Sequence, residues 1–310
     1  MRAEVPPVAP PRWKQVHERS SPAMLATIVW IALHLGRGVA RALLVPIVLY
    51  FQLTGAGVRR SARYFLSAAL GRPARSGEVF RNLYVFAACM LDRVFLLSGR
   101  SDQIRIQRHA DPDVLEQLAA GSALMVTAHL GSAEVLRAFG AHRHQLRLRL
   151  VMDRRHGAMT TRVMQGLDPS LGHAIIDSRG GPAVALAIQQ ALDDGEVVGL
   201  MADRTTLQDP GLPIPFLGRS ARLPCAPWRW AAALGVPVVL CFGLYRGGRC
   251  YDLYLETFSN RRAPIARAQR AAYVADCVAR YGARLEHYAR LAPFNWFNFY
   301  DFWADAAAGN

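Results

Sequence analysis

Ala123-Leu-Met-Val-Thr-Ala-His129-Leu-Gly-Ser-Ala-Glu134 is the stretch that decides the fold. An apolar run of strand character, Ala123–Thr127, ends in a histidine, turns at Gly131 and restarts with a carboxylate. On one continuous helix, residues five apart sit roughly 140° apart around the axis and do not meet. They can meet if His129 is on the loop leaving a strand and Glu134 is in the first turn of the next helix. Ser132 suits the N-cap of that helix, and a carboxylate just inside it is favoured by the first-turn amides. The spacing therefore predicts a strand–loop–helix junction. His129 is the candidate general base there, and Glu134 the carboxylate that orients its ring. A His/Glu pair at this spacing also arises by chance as plain structure, so the surrounding pattern has to decide.

Outward from this junction the chain alternates. Upstream, the apolar spacing over Ser76–Leu97 is helical, and Asp111-Pro112 opens a short helix that Gly121 ends. Downstream, Ser132–Ala141 reads as a helix, Leu146–Met152 as a strand and Ala158–Gln165 as a helix. Ala174–Asp177 is a short strand, Gly181-Pro182 opens a helix closed by Gly195, and Val197–Met201 is a fully apolar strand. Pro224–Leu234 is a helix, Val236–Tyr245 a strand, and Tyr251–Phe258 alternates as a strand at a sheet edge does. Pro264–Leu291 is a long helix.

Strands separated by helices predict an α/β fold, with a mixed, largely parallel sheet flanked by helices. Ligands of such sheets bind beyond the carboxyl ends of the strands. Four successive strands here end in polar groups: His129, then Asp153-Arg154-Arg155, then Asp177-Ser-Arg179, then Asp203-Arg204. One such cluster is ordinary; four in succession predict a site.

The N-terminal part has a different character. Residues 1–22 are Pro-rich and polar and read as a flexible arm, with no cleavable signal peptide expected. Residues 23–57 hold two apolar runs, Ala23–Leu35 and Ala42–Leu53, each too short alone for a bilayer core that needs about 20 residues. With Arg37 and Arg41 at their joint they form a tilted span, a re-entrant pair or an interfacial anchor whose arginines reach the headgroups; a buried core hairpin is the plain alternative. Arg59, Arg60, Arg63, Arg72 and Arg75 follow at once, which puts the downstream side, residues 58–310, in the cytoplasm.

The net charge of +14 comes almost wholly from arginine, Lys14 being the only lysine, and calls for an anionic partner. The arginines are spread along the chain without a recognition motif, which argues against nucleic acid. Five scattered cysteines without a C-x-x-C pair argue against a zinc site or a disulfide framework and fit a reducing compartment; no metal is expected.

These residues resemble the lysophospholipid acyltransferase superfamily. Within it the chain is most like the bacterial lipid A lauroyl/myristoyl acyltransferase branch, and more narrowly the acyltransferases of aryl-polyene pigment-lipid gene clusters. The family's His-x4-Glu block is met by His129-Leu-Gly-Ser-Ala-Glu134, and its arginine block by Met152-Asp153-Arg154-Arg155. Gly199-Leu-Met-Ala-Asp203-Arg204 looks like the block after the apolar strand. Pro213-Ile-Pro-Phe216-Leu-Gly218-Arg219 resembles the substrate-side Pro-Phe-Phe-Gly segment, and Gly235-Val-Pro-Val-Val the last block. The C-terminal Pro293–Trp303 segment is like the pigment-lipid branch. Where the lipid A branch usually carries Asn-His, this chain has Ala128-His129.

The resemblance implies a membrane-associated acyltransferase of the bacterial inner membrane, with its catalytic domain on the cytoplasmic face. It would move an acyl group from an acyl carrier protein or CoA thioester, as co-substrate, to a hydroxyl or amine of a lipid acceptor. No other cofactor is implied. His129 and Glu134 would act as base and orienting carboxylate, with Arg154, or the amides opening the Ser132 helix, on the oxyanion. Asp203 would orient Arg154 or a headgroup, and Arg155, Arg204, Phe216, Gly218 and Arg219 would contact substrates, the arginines meeting an acidic carrier or a phosphate-bearing lipid. Ser132 lacks the second glycine of a Gly-x-Ser-x-Gly elbow, so covalent catalysis through it is the lesser expectation. The aromatic tail Phe294–Trp303 either sits at a bilayer interface or packs over the sheet and closes the core. A non-catalytic lipid-binding or assembly protein of the same fold is the competing expectation.

Overall fold

A computed structural model describes residues 21–143, 146–153 and 158–303. Arg154 and Arg155, and nearly all of the arm, lie outside the described residues.

The described residues open with four helices, α1 (Pro22–His34), α2 (Gly36–Thr54), α3 (Ala56–Leu70) and α4 (Ser76–Leu97). The chain then alternates through β1 (Arg105–Ala110), α5 (Val114–Ala119), β2 (Leu124–Thr127), α6 (Ala133–Arg143), β3 (Leu148–Met152), α7 (Ala158–Leu167), α8 (Leu171–Ala174), β4 (Ile175–Asp177), α9 (Pro182–Asp193) and β5 (Val197–Met201). A hairpin follows, β6 (Leu212–Phe216) and β7 (Arg219–Leu223), then α10 (Ala226–Leu234), β8 (Val238–Gly247), β9 (Cys250–Ser259) and α11 (Arg270–Leu291).

Seven strands form one sheet in the order β1-β9-β8-β2-β5-β3-β4. All neighbours pair in parallel except β8 with β9. The expected mixed, largely parallel α/β sheet is what forms. Two local readings are corrected. The β9 segment, expected at an edge, lies between β8 and β1; the edge on that side is β1, whose polar sequence Arg-Ile-Gln-Arg-His-Ala hides it. The Pro213–Arg219 loop is a two-stranded antiparallel hairpin whose turn places Leu217 and Gly218 at φ 52° and 77°.

Alternation along the central strands divides the core in two. Leu124, Val126, Val198, Leu200, Leu240 and Phe242 face a core shared with α9 and α11. Met125, Val197, Val239 and Cys241 face another, shared with α6 and the C-terminal half of α4.

The two N-terminal apolar runs become α1 and α2, joined at Leu35–Gly36. One stripe of α2, Ala40, Leu44 and Val48, is buried, and the helix packs on α4. Arg37 and Arg41 turn into the protein. Arg37 binds Asp92 of α4 with two hydrogen bonds of 2.8 Å, and Arg41 donates to the Tyr245 hydroxyl and the Gly248 carbonyl. The headgroup-reaching role for these arginines is therefore corrected: they anchor the helix to the domain. Asp92 has no exposed side-chain surface, and Tyr251 also donates to it, at 2.9 Å. Arg37→Met leaves this buried carboxylate without its counter-charge, a loss expected to destabilise the fold by about 3–5 kcal/mol. The double variant Arg37→Met/Asp92→Leu should regain most of that loss in urea unfolding followed in detergent.

Candidate functional site

Strand register brings the central pair together. Thr127 of β2 stands opposite Met201 of β5, and the strands are parallel. The residues two beyond each, His129 and Asp203, therefore leave the sheet side by side. The ladder runs one step further through the bond from Ala202 N to Thr127 O, 2.9 Å. His129 Nδ1 then lies 2.8 Å from Asp203 Oδ1, and the His129 backbone N–H donates to Asp203 Oδ2 at 3.0 Å. The Trp296 indole donates to the same Oδ2 at 3.1 Å. An ionised carboxylate only accepts, so Nδ1 carries the ring proton and Nε2 carries the basic lone pair.

The carboxylate has no exposed surface, while the histidine side chain is 29 % exposed. Burial alone pushes the Asp203 carboxyl up, but the charge and hydrogen bond of His129 outweigh it, with help from Arg204 and the Trp296 indole. Together they hold Asp203 down at about 2. The result is a carboxylate that stays ionised beneath a partly exposed imidazole.

The loop carrying His129 is fixed on three sides. Its carbonyl accepts from Phe297 N at 2.9 Å, Gly131 N donates to Asn295 O at 2.8 Å, and Ser132 N donates to Gly243 O at 2.8 Å. Gly131 has φ +76°, and a Cβ there would lie 2.0 Å from Gly243 O, so only glycine fits the turn. Asn295 is clipped in turn to Tyr245 of β8, accepting from its N–H at 2.7 Å and donating to its carbonyl at 3.1 Å.

Three expected roles change. The carboxylate on Nδ1 is Asp203, expected on Arg154 or a headgroup; Glu134, expected there, forms an ion pair with Arg93 of α4. Of the amides opening the Ser132 helix, expected to be available to an oxyanion, that of Ser132 is spent on the Gly243 carbonyl. Phe216 has no exposed surface with which to contact substrate; its ring packs edge-on to Trp296 at 5.1 Å and so stands behind the indole that holds Asp203.

Arg204 does lie beside the pair, donating to Phe297 O at 3.3 Å with its guanidinium 5.7 Å from the Tyr300 ring centre. Gly218 occupies the hairpin turn, and Arg219 stacks over Tyr64 at 4.0 Å. Ser132 is buried, its hydroxyl 3.5 Å from Glu134. On the other side β3, which Asp153 follows, adjoins β5, and β4, which ends in Asp177, lies beyond it; Arg179 bridges the two carboxylates at 3.1 and 2.6 Å.

Of the two readings of the aromatic tail, packing is the one realised. Trp296, Phe297, Tyr300, Phe302 and Trp303 are all buried. The parts that sequence reasoning missed have visible signals. Asp92-Arg93 are the only charges between Arg81 and Arg100, in an otherwise apolar helix. Asn295 and Asn298 sit among aromatics; the Asn298 amide is buried and finds no hydrogen-bond partner among the described residues.

No family model matches the chain, and no curated protein matches it.

Because Asp203 is held below the roughly 3.9 of an unfolded aspartate, it stabilises the fold at neutral pH and loses that contribution as pH falls from about 4 towards 2. Asp203→Asn should lower stability at pH 7. The gap between wild type and variant should then narrow by about 2 kcal/mol on acidification to pH 2, as measured by urea unfolding across that range.

Proposed function

We propose that this protein is a membrane-associated acyltransferase of the lysophospholipid acyltransferase type, working on the cytoplasmic face of a bacterial inner membrane. The observation that carries the reading is the His129–Asp203 pair at the carboxyl edge of a largely parallel sheet. It supplies what an alcohol or amine needs in order to attack a thioester: a base whose proton-accepting nitrogen is defined and whose cationic form is stabilised.

In this reaction His129 Nε2 takes the proton of the acceptor hydroxyl as its oxygen attacks the thioester carbonyl. The tetrahedral intermediate collapses with loss of the C–S bond. The imidazolium returns the proton to the departing thiolate, leaving an ester and a free thiol. Asp203 stabilises the imidazolium through Nδ1–H throughout. The charge on the intermediate needs a cation or a donor. Arg154 remains the candidate from the family resemblance, and Arg204 is the described cation beside the pair.

The donor in this reading is an acyl-loaded carrier protein or CoA, and the acceptor a glycolipid or pigment-lipid head group. The arginine excess suits an acidic carrier and an anionic membrane. The outward face of α2 supports the membrane part. Val39, Leu43, Leu49, Tyr50 and Leu53 are all exposed there, whereas both arginines of that helix are turned inward.

The decisive assay incubates the detergent-purified protein with acyl-loaded carrier protein and a bacterial membrane lipid extract, following thioester loss and new acyl lipids by mass spectrometry. His129→Ala should abolish transfer, and Asp203→Asn should cut it by about 10²–10⁴. Glu134→Gln should cost less than Asp203→Asn. A wild-type protein that binds lipid but never consumes thioester would favour the non-catalytic reading. Equal rates for wild type and His129→Ala would remove the base assignment.

A further inference from the structure

We infer that α2 lies in the plane of an anionic lipid leaflet, inserted along one side, and does not cross the bilayer. The inference deepens the membrane association proposed above and rests on it. By length and composition Gly36–Thr54 could cross a membrane; the placement of its side chains decides otherwise.

A helix that crosses alone meets lipid all round, whereas α2 has one side packed on the domain and one side bare. Val39, Leu43, Leu49, Tyr50 and Leu53, at 39 to 68 % exposure, share an outward side with Ala42 and Pro46. That side carries no charge from one end of the helix to the other. The opposite side buries Ala40, Leu44 and Val48 and sends Arg37 to Asp92 and Arg41 to Tyr245. A vertical helix would either draw Asp92 and the β8–β9 turn into hydrocarbon or tear a buried ion pair apart. Lying flat, it buries the outward side and keeps both contacts. This inverts the usual pattern of a surface helix, in which charges face water and apolar residues face the core.

What covers the apolar side follows from its neighbours. The exposed Trp30 of α1 and Tyr50 of α2 are side chains that favour the headgroup level. Beyond α2 the segment from Arg59 to Arg81 holds six arginines against one acid, Glu78. Arg60, Arg63, Arg75 and Arg81 are exposed, and two more cap or pair locally: Arg59 with the C-terminal carbonyls of α2 and Arg72 with Glu78. An apolar stripe followed by a basic segment matches a leaflet with anionic headgroups. It does not match a second copy of this chain, whose corresponding segment carries the same charge.

Two measurements test this on the full-length protein. The first is co-sedimentation with phosphatidylcholine vesicles, with and without one-third phosphatidylglycerol. Strong binding only to the anionic vesicles is expected, reduced at least tenfold by the exposed-site double variant Leu43→Glu/Leu49→Glu, with its thermal unfolding unchanged.

The second places a fluorescent label at Val39→Cys, Leu43→Cys, Leu49→Cys or Leu53→Cys, one at a time, in a Cys250→Ser background. The remaining cysteines are buried. Depth-dependent quenching by lipid-attached nitroxides should report one shallow depth for all four sites. A depth that changes steadily over the roughly 20 Å separating the first and last would establish a span and overturn the inference. So would equal binding to neutral vesicles, self-association without vesicle binding, or no binding at all. The detergent assay of acyl transfer needs no bilayer, so activity there without flat insertion here would leave the chemistry standing and remove only this geometry.

Discussion

Asp203 is an ionised carboxylate with no exposed surface, and the architecture around it follows from that cost. Removing a carboxylate from water costs several kcal/mol, and this is repaid only by donors held in good geometry. Here those donors come from two distant parts of the chain. The ring and amide of His129 arrive along β2, and the Trp296 indole arrives with the C-terminal segment. A slip of one residue between β2 and β5 would turn every side chain to the other face and leave the carboxylate unpaired. The buried charge thus selects the register that also places a basic ring nitrogen at the sheet edge.

The C-terminal segment completes this arrangement from outside the sheet. Trp296 reaches Asp203 through its indole, Asn295 takes the Gly131 amide on its carbonyl, and Phe297 closes on the His129 carbonyl. Its aromatic rings pack on Phe65 and Phe216, so the covering segment is held by apolar contact as well as by hydrogen bonds. A histidine loop free to move would present its lone pair in many directions. Clamped on both strands and the tail, it presents one.

Much of this was legible in the sequence, for reasons that can be named. Helix α4 shows its bounds in the sequence because its apolar residues recur at helical spacing over 22 residues. Strand β5 shows its five residues in the sequence because all of them are apolar, as a strand buried in a parallel sheet requires. His129 and Asp203 were both singled out as strand-end residues. What local sequence cannot carry is which strands are neighbours. Glu134, five residues away, was the obvious partner for His129, whereas Asp203, 74 residues away, is the actual one. Strand β1 and the β6–β7 hairpin escaped because one is polar and the other opens with two prolines, both departures from ordinary strand composition. Phe216 shows the opposite error: a motif placed it at the substrate, while packing places it behind Trp296.

Helix α4 connects these features. Its two consecutive charged residues diverge by roughly 100° around the axis, as neighbours on a helix must. Asp92 is bound by Arg37 of the apolar hairpin and Tyr251 of β9, and Arg93 by Glu134 in the first turn after the histidine loop. Neither pair is a loose surface contact: Asp92 is fully buried, and the side chains of Arg93 and Glu134 are 26 % and 17 % exposed. One rigid element therefore sets the distance and angle between the apolar outer face and the base. On the function proposed above, with an acceptor drawn from a lipid layer, that relation has to be fixed, because a base held 1 Å out of line loses most of its advantage. Placing both ion pairs on adjacent residues of one helix achieves this with less freedom than two pairs on separate elements would allow.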